Sequence, residues 1–129
     1  MVEFALVLPV FLLILAGILD FGFMLYTRMG VINASREGAR AAVTASDPTT
    51  IPSVATGAAR NAATGLGSGV TVTTTCVHIV SASCDWSSKT SSQPGDAVAV
   101  TVSYTYHTFF PLFFGATVPM STTVQMVLE

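Results

Sequence analysis

The hydrophobic and polar positions change period along the chain. Residues 4–27 are almost entirely apolar, with Asp20 as the only charge and Glu3 just ahead of the run. As a helix this stretch spans roughly 36 Å, enough for a bilayer core of roughly 30 Å. The helical spacing then continues through Leu25, Met29, Ile32, Ala39 and Val43. Arg28, Asn33, Arg36, Glu37 and Arg40 supply polar faces there. One long helix is therefore predicted, apolar in its first half (1–27), amphipathic afterwards, and ended at Asp47-Pro48, because a residue before proline is pushed out of helical geometry. Pro9 removes a backbone donor and crowds the preceding turn, which predicts a kink or local loosening. Ala34, Gly38 and Ala42 form a stripe of small residues that admits a second backbone, either a neighbouring copy's or one packed under the protein's own sheet.

A shorter helix is predicted over residues 52–64, with Gly65, Gly67 and Gly69 stopping it. After Gly69 the period becomes twofold. "VTVTTTCVHIV" is rich in β-branched residues, and "AVAVTVSYTYH" alternates Val98, Val100, Val102, Tyr104 and Tyr106 with small or polar partners. The last segment puts Val118, Met120, Thr122, Val124, Met126 and Leu128 on one face. The expected fold class is α+β: a long helix whose second half covers a small antiparallel sheet of three to four strands. Two regions follow, residues 1–27 as the apolar half-helix and 28–129 as a globular head. Trp86 is expected as a core filler ahead of a surface contact, and the "FFPLFF" linker as a core flap ahead of an exposed contact patch, because large bare apolar patches are uncommon on monomers.

Composition narrows the function classes. Of 129 residues, 51% are hydrophobic and 9% charged, against roughly 25% charged in ordinary soluble domains. A net charge of -2 on so few ionisable groups builds no basic surface for nucleic acid. A cleaved secretory signal would begin with a basic segment, whereas here the front residue is Glu3. No catalytic residues are expected: Glu37, Asp47, Asp85, Asp96 and Glu129 are scattered, His78 and His107 lie in no nucleophile motif, and "GLGSG" follows a helix instead of opening one. No cofactor is implied. Cys76 and Cys84 are expected to form a disulfide if the head lies outside the cytoplasm, contributing roughly 2 to 3 kcal/mol by the loop-entropy estimate. The other readings are two free thiols, or a metal site shared with His78 and His107, for which no ligand spacing speaks.

"VEFALVLPVFLLIL", "NASREGARAA", "PGDAVAVTVSY" and the Pro- and Phe-containing linker before the last strand resemble the TadE-like pilins and pseudopilins of tight-adherence (Flp-type) type IV pilus systems. "VEFALVLP" and "REGAR" are the most specific parts. The resemblance implies a structural subunit that sits in the inner membrane, then polymerises with copies of itself into an extracellular pilus that supports adhesion. It implies a basic leader ahead of the mature chain, a membrane prepilin peptidase and inner-membrane assembly machinery as partners, and membrane lipid around the helix before assembly. A minor pseudopilin, or an anchored binding module that never polymerises, are the alternatives. The family's glutamate maps onto Glu3, which stands somewhat closer to the start than expected, so residues ahead of Met1 are expected. Its carboxylate is implied to pair with a neighbour's terminal amine, while a local helix cap is the simpler role. Pro9, Asp20, Arg28, Ala34, Gly38 and Ala42 complete the expected assembly contacts. Asp20 either meets Arg28 of an adjacent subunit or marks the membrane edge. Arg28, Arg36 and Arg40 after the apolar run would place the head inside by the positive-inside tendency; a basic leader reverses that count, and the expected disulfide favours the outside.

Overall fold

Long, straight-chain and leucine-rich sequence favours helix, and the computed structural model carries one helix, α1, over Val2–Val43, or about 63 Å at the usual rise. The structure describes residues 2–78, 86, 96–111 and 115–128. Pro9 lies inside α1, and the helix continues on both sides of it. The carboxylate of Asp47 then accepts from the Thr49 amide at 2.9 Å and its hydroxyl at 2.8 Å, capping a 3-10 turn at Pro48–Thr50. Those bonds hold its carboxyl below the usual range. Helix α2 follows at Ile51–Ala62, close to the expected span, and a second 3-10 turn covers Thr64–Leu66.

Strands β1 (Thr71–His78), β2 (Asp96–His107) and β3 (Thr117–Val127) form an antiparallel sheet in the order β1-β2-β3. Three is the count among the described residues. The register sets Cys76 opposite Val98 and Val98 opposite Met126, Val100 opposite Val124, and Tyr106 opposite Val118. Since side chains alternate across a strand, these residues share one face, which α1 and α2 cover. Val31, Ile51, Val98, Val100, Val102 and Leu128 are buried there, and Trp86 joins them as expected. The other face carries Thr71, Thr73, Thr75, Thr105, Thr123 and Gln125, all exposed. The architecture is the long helix on a small antiparallel sheet that the period changes predict.

The small-residue stripe of α1 has its partner within the chain. Ala34 and Ala42 are fully buried, and Gly38 between them is buried. Along α2 and its C-cap, Ile51, Ala55, Ala59 and Ala63 make a matching buried row. A Cβ added at Gly38 would stand 3.0 Å from the Ala55 carbonyl oxygen, 3.0 Å from the Ala59 Cβ and 3.1 Å from a Val100 methyl. The backbone brought close by the stripe is therefore that of α2, and Ala34, Gly38 and Ala42 have no surface left for a neighbouring copy. Gly38→Ala is expected to destabilise the head by about 1–3 kcal/mol through overpacking, exceeding the helix-propensity gain of about 0.5–1 kcal/mol. Gly22→Ala, where nothing lies within 4 Å of the added Cβ, should be neutral or mildly stabilising. Urea unfolding of both variants in the same detergent checks the contrast.

Candidate functional site: the bare helix and its buried aspartate

Packing divides α1 unevenly. Residues 3–15 are all exposed, and twelve large hydrophobic side chains between Phe4 and Leu19 are 43–77% exposed. The head begins to cover α1 near Ala16 and Gly17, and the covered positions then follow one stripe: Asp20, Met24, Thr27, Val31, Ala34, Gly38 and Ala42. That spacing of three and four keeps one face toward the sheet. Thr27 and Ser35, buried on this seam, return their hydroxyls to the helix's own carbonyls of Phe23 and Ile32. Among the described residues of α1, the first buried one is Asp20.

The size of the bare surface decides what it requires. Removing one such side chain from water is worth about 2 kcal/mol. Counting half of that for each of the twelve gives about 12 kcal/mol, as much as the whole stability of a typical domain. Helix Glu3–Val43 is long and apolar enough to cross a membrane, and an apolar surface of this extent needs lipid or other protein around it.

At the junction of bare and covered helix sits a carboxylate with three donors. Asp20 is 2% exposed. Its Oδ1 accepts from the Tyr106 hydroxyl at 2.8 Å and from the Phe109 amide at 3.3 Å; its Oδ2 accepts from the Phe110 amide at 3.3 Å. These donors satisfy a group whose burial would otherwise be costly. Tyr106 ends the inward-facing row of β2, and the two amides open the β2–β3 linker, so Asp20 ties the foot of the sheet to the helix. Asp20 is thus buried and occupied by donors of its own chain, which leaves its carboxylate closed to Arg28 of another copy. The chain's own Arg28 is exposed, eight residues further along α1, beside a groove lined by Met24, Leu25, Val118 and Met120.

The linker closes on itself. The Thr108 amide donates to the Ala116 carbonyl at 3.3 Å and the Gly115 amide to that of Pro111 at 3.1 Å. Gly115 has φ 76°, a conformation that favours glycine. The linker phenylalanines were expected in the core, yet Phe109 is 73% and Phe110 48% exposed. Their amides donate to Asp20 of α1 while their rings stay exposed. Phe113 and Phe114 lie outside the described residues.

The phenol of Tyr106 is pushed up to about 12, first by burial and then by its hydrogen bond to the Asp20 carboxylate and that group's charge. The unfolded chain loses this proton near the ordinary tyrosine value of about 10. The folded state binds the proton more tightly, so its contribution to stability is complete below pH about 10 and is lost as pH rises through about 12. Phenolate difference absorbance should show a late step near pH 12 coincident with loss of folded structure, and Tyr106→Phe should remove that step.

The remaining expected residues fall as follows. Glu3 is exposed in the first turn of α1 and Pro9 is exposed on the bare half. Cys76 lies in β1 against the core cluster, while Cys84 lies outside the described residues. Among the described residues, no group of three or more His, Cys, Asp or Glu side chains is placed to hold a metal. Sequence reading missed Tyr106 and the two linker amides as partners of Asp20. The available signal was the acid itself, since a lone carboxylate in an apolar run needs donors from elsewhere.

Compared with known proteins, residues 1–40 match the family model described as TadE-like protein. The likeness covers nearly all of α1 and none of the sheet. No curated protein and no solved structure matches the chain.

Proposed function

With a TadE-like N-terminal helix as the premise, we propose that this chain is a structural subunit of a tight-adherence (Flp-type) pilus, not an enzyme. It is held in the inner membrane by the bare half of α1 and is then polymerised through that same surface. One observation carries the reading: the twelve exposed large hydrophobics between Phe4 and Leu19. Moving that surface from lipid to the helices of like subunits never exposes it to water. The head, with its threonine-rich outer face, stays on the outside of the filament and supports adhesion. A prepilin peptidase that matures the chain and the inner-membrane assembly machinery are the partners this role requires. A Cys76–Cys84 bridge fits a head outside the cytoplasm; resistance of both thiols to alkylation without reductant is its expected signature.

Electron microscopy and mass spectrometry of material sheared from cells test the proposal. The chain is expected as an abundant component of filaments, with its mature N-terminus readable from the same sample. Trace abundance in filaments built from another subunit would favour a minor pseudopilin. Complete retention in the membrane fraction, with no filament lost on deleting residues 1–19, would overturn polymerisation in favour of an anchored binding module.

A further inference from the structure

A second apolar surface continues from the bare helix. Phe109 and Phe110 stand out from the foot of the sheet at 73% and 48% exposure, and the Phe109 ring lies 6.1 Å from that of Phe23, itself 54% exposed. The linker that carries them is tethered: Asp20 accepts from both amides, and the Thr108 and Gly115 amides close the turn. Two large rings are thus exposed while the backbone that carries them is tied to Asp20.

The level of this patch along α1 follows from charge. Asp20 is covered by Tyr106 and the linker, so the open surface of α1 bears no charge across residues 4–27, about 36 Å. A hydrocarbon core of about 30 Å centred on the fully bare stretch reaches the neighbourhood of Asp20. Phe23, Phe109 and Phe110 then fall at the boundary between acyl chains and headgroups. Arg28, the next exposed cation, lies about 12 Å beyond Asp20, within the headgroup layer. Aromatic rings at the boundary with a long cationic side chain just outside match what such interfaces select.

We propose that Phe109, Phe110 and Phe23 form a lipid-contacting foot, seated in the headgroup–acyl boundary of the membrane that α1 crosses, which sets the height and tilt of the head before assembly. The proposal rests on the membrane-inserted state described under Proposed function. Asp20 acts in it as the positioning residue that aims the linker.

Depth-dependent quenching of the full chain in phosphatidylethanolamine–phosphatidylglycerol vesicles tests it. The lipids carry bromine either near the headgroup or near the chain ends. Phe109→Trp and Phe110→Trp are read against the parent, whose sole tryptophan is Trp86, and Leu13→Trp reports insertion of α1. All three replaced side chains are exposed, so the core is left intact. The emission added at 109 and 110 is expected to be quenched at least about two-fold more by shallow than by deep bromine, with the opposite order at position 13. Quenching at 13 with none at 109 or 110 overturns the foot and leaves the inserted helix standing. No quenching at any of the three overturns both. A residue 109 probe unquenched in vesicles but shielded from iodide in sheared filaments overturns the lipid assignment in favour of contact between copies.

Discussion

Glu3→Ala is expected to leave the chain inserted in the membrane and to lower filament yield by roughly ten-fold or more. Glu3 sits exposed in the first turn of α1, directly ahead of the bare apolar stretch. On the proposed passage of that stretch from lipid into a bundle of like helices, the carboxylate would enter a dry environment, where a charge is costly unless a cation meets it. Removing one partner of such a pair typically costs about 3–5 kcal/mol, far more than ten-fold in an equilibrium. A local cap makes a different prediction, because the favourable interaction of an acid with a helix N-terminus is worth only about 0.3–1 kcal/mol. Glu3→Gln separates the two: it keeps hydrogen-bonding capacity and loses the charge, so an ion pair predicts that it fails as Ala does. Unchanged yield of sheared filaments from both variants would refute the pairing role and leave the cap.

The sequence pattern made α1, α2 and the three strands legible because each rests on a local period. The alternation of Val118 to Leu128 marks the covered face and burial follows it, whereas in β2 every residue from Asp96 to Val100 is buried and the alternation shows in burial only beyond Val100. Contacts between distant segments were not legible in the same way. Tyr106 and Asp20 are 86 positions apart, and no period links them. The small stripe of α1 was ambiguous because close approach to α2 and to another copy demand the same residues; only the matching row on α2 decides for the first. Phe109 and Phe110 depart from the expected burial, and the proposed membrane seat gives a physical reason: the expectation that large rings are buried assumes water on the far side, which would not hold beside a membrane-inserted helix.

Asp20→Ala is expected to release the foot of the sheet. The substitution removes the acceptor of three donors at once, one of them the hydroxyl of Tyr106, a residue only 7% exposed. Donors left unsatisfied away from water are more costly than the same bonds never formed. The amides of Phe109 and Phe110 should exchange with solvent deuterium roughly ten-fold faster or more, and the late Tyr106 titration should move back toward the ordinary value. Asp20→Asn keeps one carbonyl oxygen but turns an amino group toward the donors, so it should fall between wild type and Ala. Tyr106→Phe removes one donor and leaves the carboxylate its two amides, so its effect should be the smallest. Because all four groups belong to one network, adding Tyr106→Phe to Asp20→Ala should cost less than the sum of the two alone. Additive effects, or protected linker amides in Asp20→Ala, would mean that the foot is held by packing and not by the carboxylate. If the network does hold it, one acid performs two tasks: it docks the head, and by being hidden it keeps the side of α1 free of charge as far as Arg28. The proposed passage of this helix from lipid into a bundle of its copies would need both.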